Sequence, residues 1–456
     1  MRKVLLPIAL AAFVLGLAAM LNAQVNLLAV GSLTSSSAGP YTDLSGLNNT
    51  LENGVPANLL GGLGSGLAYA SGNTFLALPD RGPNAVSYDS LVDDTVTYIP
   101  RFHTITMDLK PNPGTGLPFT LTPKLRDTTL LFSLTPLVYG TGEGLAVGSG
   151  VPPQNNFFQH YFSGRSDNFD ANRNSGNAND ARLDTEGIRL SNDGLSVFIS
   201  DEYGPYVYQF LRFGGLRLRA FKLPDQLFVT NLKPVGNDEI SGNSSGRTAN
   251  KGMEGLAITP DGRTLVGIMQ AALIQDAGAA AKLLRIVSID IASGTTHEYA
   301  YLLSTGSGAS EIVALSQHEF LVDERDGKGR GDGSNAKFKQ IFKIDLANAV
   351  DVTNMDGTTA AANAVSKSLF LDVVQVLTAN GITTDQIPAK LEGLAFGPDV
   401  KQGRTTTHTL WLANDNDFLQ DFGAPGANPN QFFVFGFTDA DLGGSKFVPQ
   451  QFRSFR

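Results

Sequence analysis

Cysteine is absent from the 456 residues. That excludes disulfide scaffolds, thiolate zinc sites, cysteine nucleophiles and a lipid-modified amino-terminal cysteine. Charged residues make up 17%, against roughly 25% in an average globular chain. Basic residues are the scarcer sign, 34 against 43 acidic ones. An acidic chain of this kind does not suit nucleic acid, whose phosphates demand Lys/Arg surfaces. Motif chemistry is thin as well: the chain has no Gly-x-Ser-x-Gly elbow, no Walker loop and no His-Glu-x-x-His,. Its five histidines, His103, His160, His297, His318 and His408, share no ligand spacing. Asp170, Asn172 and Asn174 start like a calcium loop, but position twelve is Ala181, so a plain loop is expected,.

Long apolar runs are missing too, except at the start. Arg2 and Lys3 precede an apolar stretch over residues 4–20, and Leu21-Asn22-Ala23 resembles a cleavage site,. Residues 1–23 are therefore expected to be a secretory signal, the alternative being an uncleaved membrane anchor. Cleavage leaves 32 basic against 43 acidic residues, a charge of −11. The expected product is a secreted or periplasmic monomer, residues 24–456 forming a single domain with no membrane contact.

Glycine is abundant, 50 residues, and much of it marks a repeat. Five segments open with a short Gly-hydrophobic signature: Ser65-Gly66-Leu67, Glu186-Gly187-Ile188, Glu254-Gly255-Leu256, Glu311-Ile312-Val313 and Glu392-Gly393-Leu394. Each continues into a strand, a turn and a second strand ending in polar residues: Asp80-Arg81, Asp201-Glu202, Gln270, Asp323-Glu324-Arg325 and Asn414-Asp415-Asn416-Asp417. A sixth opening, Glu143-Gly144-Leu145, lacks a convincing second strand. Asn192-Asp193-Gly194 and Pro260-Asp261-Gly262 supply hairpin turns, because Gly tolerates the positive φ they require,. Repeated four-strand units predict an all-β fold, a β-propeller of four-stranded blades. Six blades are favoured, with five or seven as alternatives. The last unit lacks a fourth strand, which residues 25–33 are placed to supply. Helix is expected only over 369–379, and residues 150–182, 236–251 and 326–338 read as polar surface insertions.

A hairpin brings the start of its first strand beside the end of its second. In a propeller these points from every blade converge on one rim of the channel. Glu186, Glu254, Glu311 and Glu392 therefore gather with Asp80, Asp201, Glu202, Asp323, Glu324, Asp415 and Asp417. So many carboxylates in one funnel raise each other's pKa values unless cations neutralise them. Oxygen ligands of this kind suit Ca²⁺ or Mg²⁺. The competing reading is that the acids cap backbone amides or pair with Arg81, Lys251, Arg325 and Lys390. Arg81, Lys251 and Arg325 also suit a phosphoryl oxyanion, for which metal charge and guanidinium forks are the usual partners.

Several blocks resemble the phytase-like domain family, labelled "esterase-like activity of phytase". They are Asp184-Thr185-Glu186-Gly187-Ile188, Ile199-Ser200-Asp201-Glu202-Tyr203-Gly204-Pro205, Asn250-Lys251-Gly252-Met253-Glu254-Gly255-Leu256-Ala257, Phe320-Leu321-Val322-Asp323-Glu324-Arg325-Asp326 and Ala413-Asn414-Asp415-Asn416-Asp417-Phe418. The resemblance runs from about residue 60 to 440. It implies a secreted propeller with functional Glu and Asp residues and a phosphoester hydrolase activity. The expected enzyme holds Ca²⁺ on rim carboxylates and grips an anionic substrate with Arg81, Lys251 and Arg325. Glu186, Glu254 and Arg325 are its expected catalytic residues. Two other readings stay open: a non-catalytic propeller that binds a partner or surface polymer, and a Ca²⁺-dependent lactonase or esterase.

Overall fold

The computed structural model describes residues 25–84, 96–140, 148–278, 280–420 and 428–453. The signal segment and the Glu143 opening lie outside the described residues. Among the described residues no helix is long and apolar enough to cross a membrane.

Five four-stranded antiparallel sheets form the blades of a propeller. Blade one contains Gly66–Ser71, Thr74–Leu78, Arg101–Pro111 and Phe119–Leu130. Blade two contains Thr185–Leu190, Ser196–Asp201, Tyr206–Leu211 and Arg217–Lys222. Blade three contains Met253–Ile258, Thr264–Met269, Leu283–Asp290 and Thr296–Leu302. Blade four contains Gly308–Ala314, Glu319–Arg325, Lys339–Asp345 and Lys367–Asp372. Blade five contains Lys390–Gln402, Thr405–Asp415 and Asn430–Phe437, with Asn26–Leu33 as its outer strand. The innermost strands pack in cyclic order, the fifth against the first, so the ring closes with five blades. The favoured count of six is corrected to five.

The amino-terminal strand closes the ring as the sequence suggested. Asn26–Leu33 pairs antiparallel with Asn430–Phe437, so the two ends of the chain share one sheet. Apolar alternation along the strands then builds a core at each blade junction. Phe75 and Leu67 of blade one pack with Trp411 and Val434 of blade five. Ile188 and Val197 of blade two meet Leu76 and Phe102 of blade one. The same logic joins blades two to three, three to four and four to five.

Two local expectations are revised. Residues 369–372 belong to the outer strand Lys367–Asp372, and the helix starts only at Val373–Ala379. Blade four needs that fourth strand, and the Asp372 side chain accepts from Gln375 N to start the helix after it,. The polar insertions are also less superficial than their composition suggests. Ser163, Arg165, Asp167 and Asn168 are buried, with Arg165 Nε donating to Asp167 at 2.8 Å. In residues 236–251 a short helix, Gly236–Ser241, buries Glu239 against Arg247 at 2.6 Å. Polar sequence here reflects paired burial, which composition does not distinguish from exposure.

The carboxyl-terminal segment straps the floor of the channel. Val448 N donates to Leu315 O at 2.8 Å, Gln451 N to Pro260 O at 2.8 Å, and Arg453 N to Asn192 O at 2.7 Å. Gln450 Nε2 adds a bond to Leu190 O at 2.7 Å. Blades two, three and four are thus tied by one segment. Truncation after Gly444 should lower unfolding stability by about 2–4 kcal/mol, from lost hydrogen bonds and the apolar area of Phe447 and Phe452. Urea unfolding of the truncated and full chains measures this, and equal midpoints would refute it.

Candidate functional site

The upper end of the channel opens into a basin of about 360 Å³ whose side chains are all polar. Backbone register explains which residues reach it. In blade three the register shifts between Met253 and Gly255, so Glu254 is a bulge residue turned to the channel,. Matching shifts occur at Glu186 in blade two and Glu392 in blade five. With Ser65 and Ser310 these form an inner ring, one residue per blade: Ser65, Glu186, Glu254, Ser310, Glu392. The ends of the second strands add an outer ring in the same order: Asp80, Glu202, Gln270, Arg325, Asp415. Arg81, Lys251, Lys390 and Asp417 complete the charged lining.

The expected rim thus assembles, but four expected residues do not reach the basin. In blade four the bulge falls between Ala309 and Glu311, so Ser310 occupies the place of Glu254. Glu311 turns down the channel instead, pairing with Arg189 at 3.0 Å and accepting from Leu256 N at 2.8 Å. Asp323 lies opposite Glu311 in the ladder, two residues before Arg325. Alternation of strand side chains also takes Asp201 and Glu324 away from the channel, each one position before a basin residue. Glu324 accepts from Tyr301 Oη at 2.5 Å and Ser304 N at 3.0 Å, and pairs with Lys367. Asp201 accepts from Asp184 N at 3.1 Å and Gly204 N at 2.8 Å, which fixes the loop carrying Asp184.

Charge is distributed unevenly around the two rings. Blade two presents Glu186 and Glu202, with Asp184 beside them; their ligand atoms lie within 4.8 Å of one another. Glu202 Oε1 accepts from Gly252 N at 2.9 Å, and Glu254 Oε1 from Gln270 Nε2 at 2.6 Å. Glu254 Oε2 is buried and faces no donor group among the described residues, while the Glu254 carboxyl lies within hydrogen-bonding reach of the Glu202 carboxyl. Burial, then the charge of Asp184, pushes Glu202 up to about 7. Glu186 is raised by burial and then by Glu254 and Asp184, and Glu254 by burial and then by Glu202 and Glu392.

A second triad, Asp80, Asp415 and Asp417, has the same spread. Here Lys390 sits among the carboxylates, 3.1 Å from Asp415 and bonded to Asp417. Burial pushes Asp80 up to about 7 even with Arg81 beside it. Burial works against ionised Asp417 also, but Lys390 outweighs it and holds that carboxyl low. Arg81 Nη1 pairs with Asp184 at 2.8 Å, and Arg325 pairs with Glu392. Salt bridging therefore describes part of the rim. Lys251, exposed at the edge, makes no ion pair among the described residues.

The arrangement offers an acidic pole at blade two and a neutral-to-cationic wall at blade four, formed by Ser307, Gly308, Ser310 and Arg325. Sequence reading did not assign Asp184, Ser65 or Ser310 to the site. Asp184 lies just before its strand, two residues ahead of Glu186, and that loop position was the available signal. Ser310 was legible only by aligning Ile312 with Leu256 and not with Gly255.

Among known proteins, a 177-residue stretch is 34% identical to an uncharacterized secreted protein of Arthroderma benhamiae. That match covers 32% of this chain and spans about a third, 34%, of the fungal protein. Similar solved structures include the periplasmic gluconolactonase of Pseudomonas aeruginosa, 14% identical, covering 90% of this chain and 99% of that one, with a TM-score of 0.32. Another is the calcium-binding protein regucalcin of Agrobacterium tumefaciens, 10% identical, covering 94% and 99%, with a TM-score of 0.31. The family model described as phytase-like, esterase-like activity of phytase, matches residues 58–418 and so spans the innermost strand of every blade: the chain belongs to that family.

Proposed function

We propose that this protein is a secreted or periplasmic hydrolase of phosphoesters or related small anions. In this reading it works with a hard divalent cation, Ca²⁺ or Mg²⁺, in the polar basin. The observation that carries the reading is the polarity of the two rings, excess carboxylates at blade two facing Arg325 and two serines at blade four. Asp184, Glu186 and Glu202 fit the cation: their oxygens span up to 4.8 Å, about twice a Ca–O bond. Glu254 Oε2 is the buried oxygen left over beside them. A cation held there supplies Lewis acidity toward a phosphoryl oxygen.

The chain's own residues carry the rest. Glu186 and Glu254 line the basin at the cation cluster and, ionised when a cation is bound, are suited to accept a proton from an attacking water,. Arg325 has one arm on Glu392, while its buried Nε has no partner among the described residues. Lys251 offers an exposed ammonium, and Arg81 backs Asp184. An ester with a large apolar acyl group finds no apolar side chain in the basin lining. A hydrophilic phosphoester or a polyhydroxylated lactone does find partners there.

The test is phosphate release from a panel of monoesters and diesters, with Ca²⁺ and with chelator. Release is expected only with cation present. Arg325→Lys keeps the charge but loses the planar fork, and should lower the rate by about tenfold or more. Pairing of Arg81, Arg325 and Lys390 with carboxylates favours a second reading, a binding module that holds an anionic partner at Lys251. Cation binding without turnover across the panel would select that second reading.

A further inference from the structure

The inner ring reads Ser, Glu, Glu, Ser, Glu around the channel, and its two serines differ. Ser310 shares its blade with Arg325, whereas Ser65 stands in the ring between the glutamates of blades five and two, Glu392 and Glu186. Ser65 is only 2% exposed, and its Oγ makes no hydrogen bond among the described residues. A buried hydroxyl without a partner is unfavourable, and native proteins keep few of them.

Its backbone is held on both sides. A Cβ at Gly64 would lie 2.2 Å from the Asn414 carbonyl carbon, and one at Gly66 would lie 2.4 Å from Glu186 O. Only glycine fits at either flank, so the Ser65 peptide is wedged between blades five and two. Glutamate at this point of the ring would bring a further negative charge between Glu392 and Glu186. Serine leaves a neutral gap there, with a hydroxyl held rigidly at its edge. A group positioned in this way suits the recognition of an oxyanion.

We propose that Ser65 is a substrate-contacting residue, its Oγ–H donating to an oxygen of the phosphoryl group bound in the basin. This rests on the reading of the basin as an anion site and adds one contact to an anion held by the Arg325 wall, made from the blade-one side of the inner ring. A phosphoryl oxygen there meets the hydroxyl of Ser65, with the Asp184, Glu186 and Glu202 cluster on the next blade. Ser65 thereby favours a ligand that presents an anionic oxygen to the ring over one that presents an acyl chain.

The experiment titrates inorganic phosphate by calorimetry into the Ca²⁺-loaded full chain, for wild type, Ser65→Ala and Ser65→Glu. Melting temperatures of the three ligand-free proteins are measured alongside. Ser65→Ala is expected to weaken phosphate about tenfold or more, the scale of a lost hydrogen bond to a charged group. The same variant should melt at or above wild type without ligand, because no protein partner is lost. Ser65→Glu should abolish phosphate binding while keeping Ca²⁺ binding. Phosphate affinity within twofold of wild type in Ser65→Ala would overturn the proposal, leaving a hydroxyl that meets only water. A lower ligand-free melting temperature for Ser65→Ala would also overturn it, by revealing a structural bond. Failure of wild type to bind phosphate with Ca²⁺ bound would instead overturn the reading of the basin itself.

Discussion

Replacing Arg189 with methionine is expected to destabilise the protein by about 3–5 kcal/mol at pH 8, the range for orphaning one member of a buried ion pair. Arg189 lies in the channel below the basin and belongs to blade two. Its guanidinium donates to Leu67 O of blade one at 2.8 Å, Ile312 O of blade four at 2.9 Å and Leu394 O of blade five at 3.3 Å. It also pairs with Glu311, which accepts from Leu256 N of blade three. One ion pair therefore touches all five blades. Methionine keeps much of the volume but leaves Glu311 without its cation and three inter-blade carbonyls without their donor.

The loss should depend on pH. Burial already pushes Glu311 up to about 7, and Arg189 is the chief influence that lowers it. Without Arg189 the carboxyl rises further and folds protonated at pH 5, where the unpaired charge no longer exists. The destabilisation should thus shrink as pH falls from 8 to 5. Glu311→Gln placed on Arg189→Met should recover part of it at pH 8. Denaturant unfolding of both single variants and the double variant gives the coupling. Independent additive effects would show that the pair is not the channel's staple.

How much of this was legible in the sequence follows from which features are periodic. Asp-Gly turns and apolar alternation are periodic, so the hairpins and the convergence of their acidic ends on one rim were readable. Closure by residues 25–33 was readable too, because the last unit visibly lacked a strand. What failed was phase. A bulge inserts one residue and changes which face the next side chain takes, and at Ser310-Glu311 only the match of Ile312 to Leu256 marks where it falls. The glutamate matched the repeat by type while the serine matched it by position. The same one-residue parity separates Asp201 from Glu202 and Glu324 from Arg325, neighbours of similar polarity whose directions only the ladder fixes. Blade count failed for another reason: the sequence offers a sixth opening at Glu143-Gly144-Leu145 besides the five that carry second strands, and five sheets close the ring.

Calcium should stabilise the protein strongly at pH 8 and hardly at all at pH 5. Glu202 and Asp80 are each pushed to about 7, and Glu186 and Glu254 are raised as well. An acid whose folded pKa lies above its unfolded value binds more protons when folded. Its contribution to stability is complete below the unfolded pKa, near 4, and is lost as pH rises through about 7. For Glu202 alone, moving from 4.5 to about 7, the loss is on the order of 3 kcal/mol. In chelator the melting temperature should therefore fall between pH 5 and 8. A cation among Asp184, Glu186 and Glu202 favours the ionised carboxylates, and a hundredfold excess over Kd adds about 2.7 kcal/mol by mass action. The gap between Ca²⁺ and chelator melts should open over the same pH interval.

Glutamine at position 186 separates a ligand from a structural cap. Glu186→Gln keeps the shape but removes one of several mutually repelling charges, so it should raise the chelator melting temperature at pH 8. It should also weaken Ca²⁺ binding, since a neutral amide oxygen replaces a carboxylate. Glu254→Gln should act in the same direction, with the smaller loss of Ca²⁺ affinity, because Glu254 lies outside the Asp184–Glu186–Glu202 triad. Together the two effects invert the usual outcome for a buried polar residue: stability rises where function falls. A cap or ion-pair partner would give the opposite sign in chelator, because its loss leaves donors unsatisfied. Calcium titrations and melts of the two variants at pH 8 decide the matter. Unchanged Ca²⁺ affinity in both would remove the cation from the acidic pole and leave the rim to salt bridges alone.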